Sequence, residues 1–424
     1  MTQPTATINH ADPAEMKARN AVLFWSTLSF TLFFAVWLQF GILGIAVQDT
    51  LGLTAEQFAV LISVPVLTGS LLRLPMGILT DLFGGHVVTS LLHLVVAVPC
   101  FLIAGAQSYE SLAVYALVMG LAGTSFAVGI AWNAAWFPAD RQGYAMGVFG
   151  AGNVGASVTK LIGPVLIGLV PVGASAFVPG GWRFIPFLYG FLMLLMAALV
   201  WFCTPKRDKR PSQARSVRAM LKPLSHPQVW RFGLYYVVVF GAYVALSSWL
   251  PKYYVSVYEL PLEGAALMTT LFIFPASLLR PFGGWLSDRF GARTVMLGSF
   301  AVIGAASLAL AALPALGVAA FTALIVTVGV AMGVGKASNL KFVPVWYPKD
   351  VGAVGGTVGL LGGLGGWFLP LYFFAPITAA TGNPAAIFWV LFGFTAVSVL
   401  WMTVAIRRIS LGQLKPLQGL PEGA

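Results

Sequence analysis

Charge is what this sequence has least of: 9% of its 424 residues are Asp, Glu, Lys or Arg, where a soluble globular domain carries about a quarter. Because 58% of the residues are apolar or aromatic and each crossing needs about 20 of them, the chain is filled by roughly a dozen membrane spans. A large soluble catalytic domain is excluded. Acidic residues are scarcer still, and each of the 13 falls in a loop, at a helix end or in a terminus. An organic cation in transit would need an intramembrane acid as counter-ion, so that substrate class is excluded too. Only two cysteines are present, Cys100 and Cys203, in or beside apolar runs and far apart, which fits unpaired core thiols rather than a disulfide framework. No His, Asp, Glu or Cys cluster offers metal or nucleophile chemistry, so no metal, no cofactor and no enzymatic activity are expected. The alternating segments of about ten residues that mark an outer-membrane barrel are missing as well.

What is present is a series of twelve apolar runs, near 21–47, 57–80, 87–106, 111–135, 143–170, 182–204, 229–255, 262–286, 293–313, 317–345, 351–380 and 384–407. The first is too long for a signal-peptide core and is expected to remain as a helix. With a cytoplasmic N-terminus, the inside segments collect 17 of the 24 basic residues, the outside keeps only Arg183 and Lys252, and five lie within spans. That imbalance places both termini in the cytoplasm. It also accounts for most of the net charge of +11, so no nucleic-acid partner is expected. The expected fold class is an all-α membrane protein with twelve transmembrane helices in two six-helix bundles, a monomer in the bilayer of the bacterial cytoplasmic (inner) membrane.

A polar stretch from Pro205 to about Gln228, carrying Lys206-Arg207-Asp208-Lys209-Arg210-Pro211, divides the runs six and six. The domains expected are a bundle over 1–204, a cytoplasmic linker over 205–228 and a second bundle over 229–424. Ser70-Leu71-Leu72-Arg73 through Gly77, Asp81, Phe83 and Gly84 recurs 207 residues later as Ser277-Leu278-Leu279-Arg280 through Gly284, Asp288, Phe290 and Gly291, with nine of sixteen positions identical. Trp136-Phe137-Pro138 and Asp140 are echoed 210 residues later by Trp346-Tyr347-Pro348 and Asp350. A parallel duplication of this kind relates two bundles by an axis along the membrane normal.

The segments Gly77-Ile78-Leu79-Thr80-Asp81-Leu82-Phe83-Gly84-Gly85 and Gly284-Trp285-Leu286-Ser287-Asp288-Arg289-Phe290-Gly291-Ala292-Arg293 resemble the signature loop of the major facilitator superfamily. Gly150-Ala151-Gly152-Asn153-Val154-Gly155, together with Gly355-Gly356 and Gly362-Gly363-Leu364-Gly365-Gly366-Trp367-Phe368-Leu369-Pro370, resemble the two nitrate-signature segments of the nitrate/nitrite porter family. The resemblance implies transport of nitrate and nitrite, with one buried arginine from each half holding a planar oxyanion. It also transfers Phe126, Tyr236 and Phe240 to the substrate site, the two phenylalanines sandwiching the anion and the tyrosine donating its hydroxyl. The short central loop looks more like the compact nitrate-uptake branch, and nitrate assimilation with nitrate/proton symport is the function expected. Nitrate/nitrite antiport, or carriage of another small monovalent anion such as formate, is the alternative.

The residues support that picture independently. Arg73 stands eight residues before Asp81 and Arg280 eight before Asp288, so each is rooted about 12 Å above its helix end, near mid-membrane. An arginine there costs about 3 kcal/mol to insert and faces a cavity or bundle interior. Its rigid fork matches two oxygens of a planar anion, which an ammonium cannot do. Asn153 on the fifth helix can donate its amide to an anion oxygen, against the plainer reading of an interhelical hydrogen bond. Among the intramembrane lysines, Lys160, Lys336 and Lys341 are candidates for proton coupling or anion steering, with snorkelling as the alternative for Lys160 and Lys341. Asp81, Asp288, Arg289 and Arg293 are the expected gating residues at the signature loops. Gly150-x-Gly152-x-x-Gly155 matches a dinucleotide fingerprint but no strand precedes it, so the match carries no cofactor.

Overall fold

The computed structural model describes residues 13–138, 141–172, 178–210, 222–313, 316–347 and 351–410, and among these every regular element is a helix. Lipid offers the backbone no hydrogen-bond partner, so apolar runs of this length must satisfy their amides internally. Twelve spans result: α1 (Pro13–Leu51), α2 (Ala55–Phe83), α3 (Gly85–Gly105), α4 (Tyr109–Trp136), α5 (Ala145–Leu169), α6 (Gly181–Cys203), α7 (Pro227–Tyr258), α8 (Leu262–Phe290), α9 (Ala292–Ala312), α10 (Val318–Trp346), α11 (Val354–Thr381) and α12 (Pro384–Arg408). Asp140, Pro348 and Asp350 of the second repeat, and Arg215, Arg218, Lys349 and Lys415 among the 17 inside basic residues, lie outside the described residues.

The two bends repeat with the sequence. α2 turns by 42° between Leu71 and Arg73, and α8 by 42° between Leu278 and Arg280. Both spans end on a glycine in the left-handed region, Gly84 (φ 86°) and Gly291 (φ 82°), where a side chain would be strained. α1 and α7 are the innermost spans, with 83% and 89% of their apolar windows buried, whereas α12 has 39% and shows Trp389, Val397, Leu400 and Trp401 to the lipid. Across the middle, α2 packs on α11, α5 on α8, and the second half of α1 on α7. Cys100 is buried, Cys203 is exposed, and both are free thiols.

One residue of the polar stretch after α6 is structural in a way its charge run conceals. Asp208 accepts hydrogen bonds from the indole N–H of Trp132 (3.1 Å) and Trp136 (2.7 Å) at the end of α4 and from the backbone N–H of His86 (2.8 Å) at the start of α3. Beside it, Lys209 pairs with Glu15 at 2.6 Å. Asp208→Ala is therefore expected to destabilise the detergent-solubilised protein by about 2 kcal/mol, through two orphaned indole donors, and to lower its thermal midpoint. Glu15→Gln, which breaks only an exposed pair, should leave the midpoint unchanged in the same melt.

Candidate functional site

Arg73 and Arg280 are the second residues after their bends, and burial is near complete for both, at 0% and 3% exposed. The bend brings each guanidinium onto the opposite half of the duplication. Arg73 donates from Nη1 to the Gly359 carbonyl on α11 (2.6 Å) and from Nε to the Gly123 carbonyl on α4 (3.2 Å), while Arg280 donates from Nη1 to the Gly150 carbonyl on α5 (3.2 Å). At Gly150 the missing side chain is what lets the carbonyl come this close, whereas a Cβ on Gly359 would meet Arg73 no nearer than 3.9 Å. A Cβ on Gly150 would stand 2.7 Å from the Arg280 guanidinium carbon, and one on Gly363 would stand 3.0 Å from Arg73 Nη1 and collide with Ser70 Oγ.

Aromatic rings complete the wall. Arg73 lies 5.0 Å from the ring centre of Phe126, 5.1 Å from Phe240 and 5.3 Å from Trp37, and Arg280 lies 5.9 Å from Phe126. Tyr236 and Phe240, one helical turn apart on α7, stack at 4.9 Å. Phe126 and Phe240 face each other at 5.9 Å and 22°. The sandwich expected of them is not formed at this spacing, since a planar ion between two rings needs about 7 Å, twice a 3.5 Å contact. The Arg73 guanidinium lies to one side of the pair, about equally far from both rings.

Among the described residues, Arg73 Nη2, both side-chain atoms of Asn153, and the Tyr236 hydroxyl, which Arg280 faces, are buried without a hydrogen-bond partner. Each orphaned group costs about 1–3 kcal/mol. Donors left unpaired around two cations, with no carboxylate contact among the described residues, make an arrangement whose cost a small oxyanion would offset. The interhelical hydrogen bond considered for Asn153 is absent from its side chain; only its backbone carbonyl is engaged, by the Tyr243 hydroxyl at 3.4 Å.

Local backbone geometry sets this arrangement. Phe126 follows a tight turn at Gly120–Thr124, Asn153 sits in one at Gly152–Val154, and Phe240 occupies a widened turn at Val237–Gly241. Departures from regular α-helix within a span free carbonyls and re-aim side chains where they line a buried site.

The lysines separate. Lys336, fully buried, sits 3.1 Å from the centre of the Tyr243 ring and 5.8 Å from that of Phe240, and donates to the Ala276 carbonyl (3.0 Å). It adjoins the site. Lys160 is also fully buried, so it does not snorkel, and among the described residues it bonds only the Ala156 carbonyl one turn back (3.3 Å). Lys341 is elsewhere: it pairs with Asp288 and donates to the Ser287 carbonyl (2.9 Å) at the end of α8. Its depth by residue count matches the arginines, but its side chain runs toward the loop. Of the expected gating residues, Asp288 thus has a partner in its own half, and Arg289 lies over Trp285 and Phe290 of its own helix. Arg293 lines a cavity at the start of α9, and Asp81 is half-buried at the end of α2.

Tyr243 escaped the sequence reading. Its hydroxyl meets Ser277 Oγ at 3.0 Å as well as Asn153, so it ties α7, α8 and α5 together beside the site. The signal was available, because Tyr236, Phe240 and Tyr243 recur at the spacing of one helix face.

Comparison with known proteins bears on the family and the fold. The profile of the Major Facilitator Superfamily matches residues 25–269 and 261–419. A probable nitrate/nitrite antiporter, NarK1, from Thermus thermophilus is 53% identical over 94% of this chain and 95% of its own. A nitrite extrusion protein of Bacillus subtilis is 31% identical over 89% and 92%, and a probable nitrate transporter, NarT, of Staphylococcus carnosus is 32% identical over 88% and 94%. Among solved structures, a bacterial homologue of the human lysosomal transporter Spinster, inward-facing and occupied, superposes with a TM-score of 0.65 at 17% identity, covering 93% of this chain and 97% of that one.

Proposed function

The chain belongs to the nitrate/nitrite porter family of the Major Facilitator Superfamily and is an integral membrane transporter, and we propose that it carries nitrate and nitrite by alternating access about the Arg73–Arg280 pair. The observation that carries this reading is the crossed contact, in which each arginine holds a backbone carbonyl of the other half. An anion between the two guanidiniums cancels their like charge and draws the halves together; without it, repulsion favours opening. Arg73 Nη2, the Asn153 amide and the Tyr236 hydroxyl then donate to its oxygens, while Phe126 and Phe240 separate to admit its flat faces. The N-terminal bundle, the linker and the C-terminal bundle are the moving parts, both termini face the cytoplasm, and the signature loops with Asp81, Asp288, Arg289 and Arg293 gate the cytoplasmic side.

Uptake of a monovalent anion against an inside-negative potential costs about 2.3 kcal/mol per 100 mV, so import needs exchange or a cotransported cation. Exchange of nitrate for nitrite fits a site in which fixed cations reorient only when an anion neutralises them, and the Thermus relative carries an antiporter's name. Proton symport is the second reading, favoured by Lys336 against Phe240 and Tyr243. Proteoliposomes with an internal pH dye separate the two. Under exchange, external nitrate enters only vesicles loaded with nitrite and without acidification, and Lys336→Met keeps transport within about threefold, as for a residue outside the direct contacts. Acidification of empty vesicles that tracks nitrate entry and vanishes in Lys336→Met would replace exchange with symport. Failure of nitrate and nitrite to move in either format would sink the transport proposal itself.

A further inference from the structure

Beyond the arginines, on the side away from the linker, the interior stays polar where a bundle core is ordinarily apolar. On α5, Asn153, Ser157 and Lys160 recur at the spacing of one helix face, so the file extends about 10 Å from the site over seven residues. The neighbouring residues say where that face points. Gly150 stands against Arg280 of α8, Gly152 and Gly155 stand against Phe30 and Thr31 of α1, and Leu161, Ile162 and Val165 on the far side are exposed to lipid. At about 100° per residue, the file falls between the α8 and α1 contacts and faces the middle of the molecule. Two other spans add to it there. Ser247 of α7 stands one turn beyond Tyr243, whose hydroxyl it faces, and Thr270 of α8 stands two turns beyond Ser277, which bonds that same hydroxyl.

The duplication does not require these groups, since at the 210-residue offset Asn153, Ser157 and Lys160 correspond to Gly363, Trp367 and Pro370. Nor does packing satisfy them. Ser63, Ser70 and Thr269, also buried in spans, return their hydroxyls to the carbonyl one turn back at 2.6, 2.6 and 2.8 Å. Ser157 Oγ, Ser247 Oγ and Thr270 Oγ1 are buried with no partner among the described residues. Lys160, 0% exposed, has three N–H groups to place and gives one of them, at 3.3 Å, to its own helix. A buried ammonium beside unpaired hydroxyls is unfavourable alone, and an anion among them offsets the cost. Resting on the transport reading above, we propose that this seam is a second oxyanion station, about 10 Å from the arginine pair, where Lys160 supplies the charge and the hydroxyls of Ser157, Ser247 and Thr270 donate to a nitrate or nitrite ion on its way to or from that pair. One ammonium holds a monovalent ion loosely enough to release it, as a station on a path must. Access lies under the hydrogen bond from Lys252 of α7 to Gln48 of α1 (2.7 Å), which joins the two halves beyond the seam.

The test is the initial rate of nitrate entry into proteoliposomes as a function of nitrate concentration, in whichever of the two formats described above supports transport. Lys160→Met is expected to raise KM about tenfold while kcat moves less than threefold, as for a contact that assists binding rather than the reorientation step. Its thermal midpoint stays at or above the parent's, because the substitution keeps the length of the side chain and removes an unpaired buried charge. Thr270→Val, which deletes one oxygen that has no partner, is the second variant and raises KM about threefold. A lysine serving the fold alone would instead lower the midpoint and leave KM as it was. That result, or a parental KM in both variants, overturns the proposal while leaving transport by the arginine pair intact. A parent that moves neither anion overturns the transport reading itself, so the two failures are told apart.

Discussion

Arg73→Lys is expected to lower the kcat/KM of nitrate transport by about 100-fold or more in a protein that still folds, and Arg280→Lys to do the same. Charge is conserved in both variants, so any loss reports geometry. The Arg73 fork is divided three ways: Nε holds Gly123, Nη1 holds Gly359 across the interface, and Nη2 has no hydrogen-bond partner among the described residues, which leaves it open to the substrate proposed above. An ammonium is a point donor on a flexible stem and cannot keep both carbonyls while presenting a second parallel N–H to a planar anion. Losing two charge-assisted bonds at about 1.5 kcal/mol each gives the stated factor. Nitrate-dependent counterflow in proteoliposomes measures it, and retention of parental transport by either variant would refute the bidentate role.

The second large effect comes from adding one carbon. Gly363→Ala is expected to reduce transport by roughly 10- to 100-fold in a protein that still folds, because its Cβ collides with Ser70 Oγ and presses within 3.0 Å of Arg73 Nη1. Ser70 is committed to the Val66 carbonyl at 2.6 Å, so relieving the collision either breaks that bond or pushes apart the two helices that carry Gly363 and the Ser70–Arg73 bend. Gly150→Ala should act likewise on Arg280, whose guanidinium carbon would lie 2.7 Å away. Gly356→Ala on the same helix is the internal control, since its nearest new contact is Leu74 at 3.8 Å, an ordinary packing distance. Equal activity of Gly363→Ala and Gly356→Ala would show that close approach at the interface is not what the glycines provide.

These glycines mark where the sequence was informative and where it was not. A glycine run on an apolar span announces close packing, but the same signal fits helix–helix contact and backbone approach to a ligand. Which glycine does which depends on the partner across the interface: Gly241 and Gly365 meet each other, whereas Gly363 meets Ser70 and Arg73. Residue counting from the helix ends likewise placed Lys341 level with the arginines, and failed because a long side chain travels several ångströms from its Cα toward whatever carboxylate is in reach, here Asp288. Asp208 looked like one charge in a basic linker, and nothing local in Lys206-Arg207-Asp208-Lys209-Arg210 predicts that two indoles from α4 converge on it.

Apart from the aromatic neighbours of the arginines, which the resemblance to the porter family supplied, the sequence by itself determined the class, the twelve spans, the internal duplication and the arginine pair. Each of these is set by composition, by hydropathic period or by a repeat, quantities that one chain carries without reference to its partners. Only the tertiary structure decided that each arginine is held by the opposite half, that Phe126 and Phe240 stand beside the Arg73 guanidinium, and that Lys336 rather than Lys341 lies against Phe240 and Tyr243. The reason is physical: those contacts depend on where α2 and α8 bend and where α4, α5 and α7 tighten or widen a turn, and such departures are fixed by packing between helices rather than by local propensity.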